Sequence, residues 1–598
     1  MSYRAPVKDL LFDMKELANI EALTLLPGYE EAGCDTAQAV LEECARFNEE
    51  VVAPLNVEGD RAPSYWKDGQ VFTTAGFKEA FRQFGEGGWQ GLQHPTEFGG
   101  QGLPKTIGAA CGEILNSANL SFALCPLLTD GAIEALLTAG SEQLRQTYLA
   151  KMVTGEWTGT MNLTEPQAGS DLAAVRTRAV PQGDGTYRLF GQKIFITYGE
   201  HDYTDNIIHL VLARTPNAPD GVKGISLFLV PKFLVNADGS LGARNDVRCV
   251  SLEHKLGIHA SPTAVLAYGD HGGAVGYLIG EEHRGLEYMF IMMNQARFSV
   301  GMEGVGLSER ASQRAVAYAR ERVQGRPVGT DKHVKPAPII DHPDIRRMLM
   351  VMRASTEAMR AVGYVTAAAI DNARHAPDAA VRAQHQAFVD LMIPVVKGWC
   401  TETAQEVTYL GVQVHGGMGF IEETGAAQYY RDARIITIYE GTTGIQANDL
   451  VGRKTARDAG ATANLVAAQI DKVAARLASH ADASLNVIGL RLAAATAALQ
   501  SAIDWMLTSF AANPRIAYAG SVPYLKLWGV VAGGWQMGRA AKVAVDKLAR
   551  GEGDAAFLRA KIATARFYAE SLLPLADAHA QAVVNGSPSV LALAAEQF

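Results

Sequence analysis

The sequence is short of the features that mark several protein classes. Its six cysteines, at positions 34, 44, 111, 125, 249 and 400, include no CxxC pair, which speaks against a disulfide framework and a thiolate metal site and for a reducing cytoplasm. No run approaches the roughly 20 uninterrupted apolar residues of a membrane span. The opening Met1-Ser2-Tyr3-Arg4-Ala5-Pro6 has no apolar signal core and the closing Ala595-Glu596-Gln597-Phe598 no peroxisomal tripeptide, so a cytoplasmic protein without a membrane span is expected. Positive charge is also scarce: 54 Lys and Arg face 63 Asp and Glu, a net charge of −9, and nucleic acid is not an expected partner. From Val451 onward the balance reverses, to 15 basic against 10 acidic residues. Spread over helices, that excess reads as a solvated face before it reads as a nucleic-acid footprint. No internal repeat and no low-complexity segment is present.

At 598 residues the chain needs more than one core. Apolar residues recur at helical spacing through Ala39-Val40-Leu41, Phe47, Val51-Val52 and Ile107 to Leu120, with glycine clusters as loops. Near Gly155 the period changes to short β-branched and aromatic runs at 158–163, 186–197, 206–214, 224–230, 247–254 and 263–268. Helical spacing returns at 285–323, 341–372 and 378–410, with Asp341 or Asp344 as candidate N-cap of the second. An Ala-rich helical stretch follows, broken at Asn513-Pro514 and Gly551-Glu552-Gly553. Strands and helices do not alternate, so a doubly wound parallel sheet is excluded. The expected chain is mixed α and β: a leader (1–34), an N-terminal helical domain (35–155), a β-barrel or sandwich domain (156–282), a four-helix bundle (283–458) and an added all-α domain (459–598).

Five segments carry candidate chemistry. Met161-Asn162-Leu163-Thr164-Glu165-Pro166-Gln167-Ala168-Gly169-Ser170-Asp171 leaves a strand in a hydroxyl-rich turn that suits a phosphate or flavin edge, or serves as a plain connection. In Gly191-Gln192-Lys193-Ile194-Phe195-Ile196-Thr197-Tyr198-Gly199, Phe195 reads as core on pattern and alternatively as a wall for a flat cofactor. In Lys255-Leu256-Gly257-Ile258-His259-Ala260-Ser261-Pro262-Thr263, His259 has no ligand-spaced partner, so it reads as a loop histidine bonded to backbone, and no metal is expected. The fourth segment runs from Gln413-Val414-His415-Gly416-Gly417-Met418-Gly419-Phe420 to Arg434. In the fifth, Ile435 to Gln446, Glu440 ends an apolar run. A carboxylate there has a raised pKa suited to a base, or it complements a helix dipole.

In this order and spacing the five segments resemble the acyl-CoA dehydrogenase family, over roughly Asp35 to Lys454. The resemblance implies FAD as cofactor, an acyl-CoA thioester as substrate, α,β-dehydrogenation to the trans-2-enoyl-CoA, and electron-transferring flavoprotein as acceptor. It makes Glu440 the base, with its backbone N–H on the thioester carbonyl. The variant in which the base directly precedes an arginine on a helix is closed, because Ala296 precedes Arg297. Cofactor contacts implied are Met161, where many relatives have an aromatic, Leu163, Thr164, Ser170, Phe195, Thr197 and Thr442. Arg322, Gln324, Gln413 and Gly417 are implied to border a neighbouring subunit's flavin, with Gln324 standing where an aromatic is usual and Gly444 where a glutamine is common. Substrate contacts implied are Ser170, Asn294, Arg297, Tyr439 and Gly441. The Tyr3 to Phe12 leader and the long C-terminal domain resemble an enlarged bacterial branch that includes 3-methylmercaptopropionyl-CoA and broad fatty acyl-CoA dehydrogenases, for which a homodimer is expected. An acyl-CoA oxidase, a DNA-binding relative on this fold and a flavin-free scaffold are the competing readings.

Overall fold

The computed structural model describes residues 3–598. The chain forms two compact units. One holds Phe47–Leu103 and Ala118–Ala296; the other holds the chain up to Arg46, Pro104–Ser117 and Arg297–Phe598.

The first unit is built on eight strands: β1 (Thr158–Asn162), β2 (Arg178–Pro181), β3 (Tyr187–Thr197), β4 (Ile207–Ala213), β5 (Ser226–Pro231), β6 (Val247–Leu252), β7 (Thr263–Tyr268) and β8 (Ala274–Ile279). Their order is β6-β7-β3-β8-β5-β4-β1, with β2 paired to β3. All pairs are antiparallel except β1 with β4. The strands β4 and β5 are buried along their whole length, because both faces have cores to meet. Ile208, Leu210, Leu212, Leu227 and Leu229 pack with Leu128, Ala132, Leu136 and Leu149 of the helices Leu120–Ala139 and Glu142–Val153. On the other face Val211, Ala213, Phe228 and Val230 share a cluster with Val247, Cys249 and Leu266. Strands β6 and β4 lie far apart along the hydrogen-bonded path, so sharing one core requires the sheet to roll up. Several strands were not legible in the sequence pattern: β2, which ends in Pro181, β8, which follows Gly272-Gly273 and contains Gly276, and the hairpin Phe233–Val235 with Leu241–Arg244. A hairpin, Tyr65–Lys67 with Gln70–Phe72, also interrupts the stretch read as helical.

In the second unit the helix Gly285–Glu321, from Arg297 onward, packs with Pro343–His375 and Ala379–His415. A side chain at Gly301 would strike Val396, at 2.5 Å from Cγ1, and one at Gly304 the Cys400 carbonyl, at 2.7 Å, so these two glycines set how closely the first and third helices approach. Asp378 caps the third helix by accepting from Ala380 N–H. Neither Asp341 nor Asp344 caps the second, contrary to expectation: His342 holds that position without a side-chain bond, Pro343 begins the helix, and Asp341 closes a 3-10 turn. The C-terminal helices Ala483–Ala512, Pro514–Ala519, Ser521–Arg550 and Ala555–Phe567 break at the Asn-Pro and Gly-Glu-Gly signals, with Asp482, Asn513 and Asp554 as caps. Two helices reach membrane-spanning length and apolarity, Leu120–Ala139 and Ala483–Ala512; 78% and 44% of their apolar windows are buried.

Two buried ion clusters tie distant segments of this unit. Arg360 binds Glu113 at 2.6 Å and Glu309 at 2.7 Å, and Tyr364 donates to Glu113 at 2.7 Å. Lys561 reaches Asp9 at 2.6 Å and Glu357 at 3.1 Å. Removing one partner of a buried pair strands the other in a low dielectric. The substitution Arg360→Leu is therefore expected to lower the free energy of denaturant unfolding by roughly 3–5 kcal/mol, whereas Arg347→Leu, whose partner Asp344 is exposed, should change it by less than about 1 kcal/mol.

Candidate active site

Between the helices Ala426–Ile436 and Thr443–Asp449 the chain turns at Glu440, φ 54°, and Gly441, φ 85°. A left-handed glutamate is uncommon and is held by its surroundings. Buried Gln446 supplies the hold, its Nε2 donating to the Glu440 carbonyl at 3.1 Å. The following helix is capped by Thr442, whose hydroxyl accepts from Ile445 N–H, so Glu440 does not serve as the cap. Among the described residues the N–H of Glu440 meets no acceptor, which leaves a donor available beside the carboxylate.

The groups around this turn are charged and buried. Loss of hydration raises the Glu440 carboxyl to about 7, against the opposing pull of Arg297 and Lys397. Burial lowers the Lys397 ammonium to about 8, with Glu440 and Glu303 resisting; its Nζ donates to the Ile436 carbonyl at 2.9 Å. Glu303 is fully buried and accepts from the Tyr439 hydroxyl at 2.5 Å. Its Oε1 has no partner, and burial pushes its carboxyl up to about 8, so at neutral pH it is an uncharged acid. Arg297 lies 3.7 Å from Asp449, which Arg453 also approaches at 3.1 Å. Glu440, the neutral acid Glu303 and the cations Arg297 and Lys397 thus share one region, with the Asp449–Arg453 pair beyond Arg297. That arrangement stabilises an anion at Glu440 and leaves it basic enough to take a proton near neutral pH.

A second group of expected residues gathers in the strand unit. Glu165, buried, accepts from Arg176 N–H at 2.7 Å, from Thr177 N–H at 3.1 Å and from the Thr177 hydroxyl at 2.6 Å. It also pairs at 2.8 Å with Lys193, whose Nζ binds the Leu163 carbonyl at 3.0 Å. Ile194 N–H binds the Thr164 carbonyl at 2.9 Å. The turn carrying Leu163, Thr164 and exposed Ser170 is thereby fastened to the end of β3, so it is more than a loose connection. Ile194 and Phe195 together oppose the single residue Val265, a bulge that redirects side chains. Phe195 has φ 59° and is 58% exposed, while Ile196 and Tyr198 are buried. Phe195 is therefore not core, which corrects the pattern reading, and its ring stands uncovered near half-buried Thr197. Met161 is buried in the sheet core. His259 bonds the Lys255 carbonyl at 2.9 Å, as expected, and also pairs with Asp60 at 2.8 Å.

A third group lies at the far end of the helix that begins at Gly285. Arg322 and Gln324 follow its last residue, both exposed, with Arg322 Nη2 3.3 Å from Gln324 Oε1. Tyr318 stacks on His415 at 4.4 Å, which brings exposed Gln413 and Gly417 to the same end. Arg297 and Arg322 are 25 positions apart on one helix path, roughly 37 Å at 1.5 Å per residue. Glu440, Arg297, Tyr439, Gly441 and Thr442 therefore cluster away from Arg322, Gln324, Gln413 and Gly417. Asn294 is exposed on the opening turns of the helix.

The residues fit a flavin on the strand unit's own features: an uncovered aromatic ring at a bulge, with Thr197 two residues on and Thr164 held beside it through its backbone carbonyl. Glu303 and Lys397 were missed in the sequence. Each is a lone charge inside an apolar helical run, Val300-Gly301-Met302-Glu303-Gly304-Val305 and Ile393-Pro394-Val395-Val396-Lys397, and that isolation was the available signal.

Comparison with known proteins matches four family models: the acyl-CoA dehydrogenase N-terminal domain at residues 35–156, its middle domain at 160–270, its C-terminal domain at 283–454, and an acetyl-CoA dehydrogenase C-terminal-like domain at 466–594. The chain is 53% identical to a 3-methylmercaptopropionyl-CoA dehydrogenase of Ruegeria pomeroyi, over 99% of each chain. It is 37% identical to a broad-specificity linear acyl-CoA dehydrogenase of Mycobacterium tuberculosis, over 96% of each. An acyl-CoA dehydrogenase of Bacillus anthracis, solved with FAD, shares the fold at a TM-score of 0.73 and 22% identity, over 92% of this chain and 88% of that one.

Lys397→Gln removes a cation that favours the ionised form of Glu440. The Glu440 titration should then move above its value of about 7, read as the carboxylate band in infrared titration with Glu440→Gln as the blank; an unmoved midpoint would remove Lys397 from the site's electrostatics.

Proposed function

The chain belongs to the acyl-CoA dehydrogenase family, and on that premise we propose that Glu440 is its catalytic base and that its substrate is a short thioester of the 3-methylmercaptopropionyl-CoA type. The protein is an oxidoreductase that introduces a double bond between the α and β carbons of an acyl-CoA. The observation that carries the assignment of the base is Glu440 itself, held in a left-handed turn, with its carboxyl raised to about 7 between Arg297 and Lys397.

Glu440 in its anionic form removes the α-proton of the thioester. Its unengaged N–H donates to the thioester carbonyl, where negative charge develops as the proton leaves. Gln446 fixes the turn that presents carboxylate and N–H together, and the Tyr439–Glu303 bond anchors the residue before it. The hydrogen on the β-carbon would leave with two electrons as a hydride, for which FAD, when bound, would supply the acceptor. In the strand unit Phe195 would cover one face of the FAD ring system, and Leu163, Thr164, Ser170 and Thr197 would hold its polar parts. In the helical unit Arg297, Tyr439 and Gly441 would contact the thioester.

The short-chain assignment is supported by the 53% identity, over 99% of each chain, to a dehydrogenase named for the methylthio substrate. A homodimer is supported by the position of Arg322, Gln324, Gln413 and Gly417, too far along the helix to share one flavin with the Glu440 cluster. Exposed Phe420 (85%), Met418, Ile421, Val323 and Val328 sit with them, an apolar surface of the kind a second copy covers. Electron-transferring flavoprotein is the acceptor that family membership implies, and the six free cysteines suit a cytoplasmic setting.

Anaerobic addition of 3-methylthiopropionyl-CoA should bleach the flavin absorbance faster than octanoyl- or palmitoyl-CoA, with butanoyl-CoA intermediate. Glu440→Gln should lower the bleaching rate by at least the roughly 10²–10⁴ associated with a general base, while leaving bound flavin in place. Bleaching that survives this substitution would assign the base elsewhere, and equal rates for all four thioesters would remove the short-chain preference.

A further inference from the structure

Outside the groups described above, the helical unit contains a cleft of about 430 Å³, within the range of about 300–1,000 Å³ that small-molecule sites occupy. It lies where the leader meets the helices Pro343–His375, Ala379–His415, Ala461–Ala478 and Ser521–Arg550. None of the residues assigned to flavin or thioester lines it. Its walls are mainly apolar, with Leu17, Leu23, Val365, Phe388 and Val466 prominent.

The polar end of the cleft carries positive charge and no acid. Trp535 and Arg539, one helical turn apart, both line it, whereas no Asp or Glu does. The Arg539 guanidinium is met only by neutral oxygens, Gln536 Oε1 at 2.6 Å and the Leu17 carbonyl at 2.9 Å. Among the described residues no carboxylate pairs with it, and the only influence on its ionisation is burial. The Trp535 indole N–H is buried without an acceptor. His385, the other titratable group on the wall, is pulled down by burial and adds no negative charge.

An arginine stays charged in any protein environment, and a cation drawn partly out of water is stabilised by an anion. A carboxylate meets that demand, because its two oxygens match the guanidinium fork. A bare inorganic anion would leave the apolar walls uncovered. We infer that this cleft is a second binding site, for a carboxylate-bearing aliphatic molecule whose head meets Arg539 and whose chain lies along the leucine, valine and phenylalanine walls.

Calorimetric titration of the flavin-loaded protein with octanoate, and with octanol as a neutral chain of equal length, tests the assignment. Octanoate should bind, octanol at least tenfold more weakly. Along butanoate, hexanoate and octanoate the affinity should rise about threefold to fourfold per methylene. Arg539→Gln should weaken octanoate at least tenfold and Arg539→Lys should restore part of it, with turnover of acyl-CoA unchanged in both. Equal octanoate affinity in Arg539→Gln and the parent would overturn the site and place the molecule elsewhere, including the acyl pocket. Octanol matching octanoate would also overturn it. A change of oligomeric mass in Arg539→Gln without octanoate binding to the parent would assign the cleft to a second copy of the chain.

Discussion

A buried carboxylate that titrates near neutral pH has to leave water without becoming permanently protonated, and that balance is struck around Glu440. Desolvation alone would make the group neutral. Full pairing with one cation would hold it as a weak base. Here desolvation leads, and Arg297 and Lys397 offset part of it, so the titration falls near 7. The packing that brings those groups together is backbone-level. Gly301 and Gly304 let the helix from Gly285 approach the helix from Ala379 at Val396 and Cys400, and Lys397 lies between those two contacts. Glu303 sits between the two glycines in sequence. The same close approach that needs no side chain at 301 and 304 therefore sets Lys397 and Glu303 within electrostatic reach of Glu440.

The second element of the arrangement is conformational. In the left-handed region Glu440 presents its own N–H and its carboxylate from one turn, which a helical glutamate does not do because its N–H is spent on the ladder. That geometry costs of order 1–3 kcal/mol and is secured by Gln446 bonding the Glu440 carbonyl and by Tyr439 bonding Glu303. Phe195 follows the same logic in the strand unit. A bulge and a positive φ turn an aromatic ring out of a sheet whose neighbouring residues, Ile196 and Tyr198, are buried.

These two positions show what was legible in the sequence and what was not. The helix–strand–helix order, the long helices and the breaks at Asn513-Pro514 and Gly551-Glu552-Gly553 follow from local spacing and turn residues. The side on which Phe195 projects does not, since alternation assigns it inward and only the bulge reverses it. Strands β2 and β8 were missed because proline and glycine weaken a strand signal that tertiary pairing then overrides. The candidate base stood out because its motif is contiguous. Glu303 and Lys397 lie on separate helices far away in the chain, so their meeting at Glu440 is a property of packing, signalled only by a lone charge in each apolar run.

Packing also gives part of the basic excess after Val451 a structural use. Eight of its fifteen Lys and Arg residues, at 453, 454, 526, 542, 547, 550, 561 and 566, form ion pairs with carboxylates of this chain. Several of those partners lie outside the C-terminal helices: Asp9 and Glu16 in the leader, Asp390 and Glu402 in the bundle. Lys561 is the extreme case, a buried ammonium that joins the leader at Asp9 to the bundle at Glu357. Exposed pairs among these contribute little individually, but Lys561 cannot lose its partners without leaving a charge in the core. Four of the eight pairs, at Lys454, Lys526, Lys547 and Lys561, thus join leader, bundle and C-terminal helices into one unit.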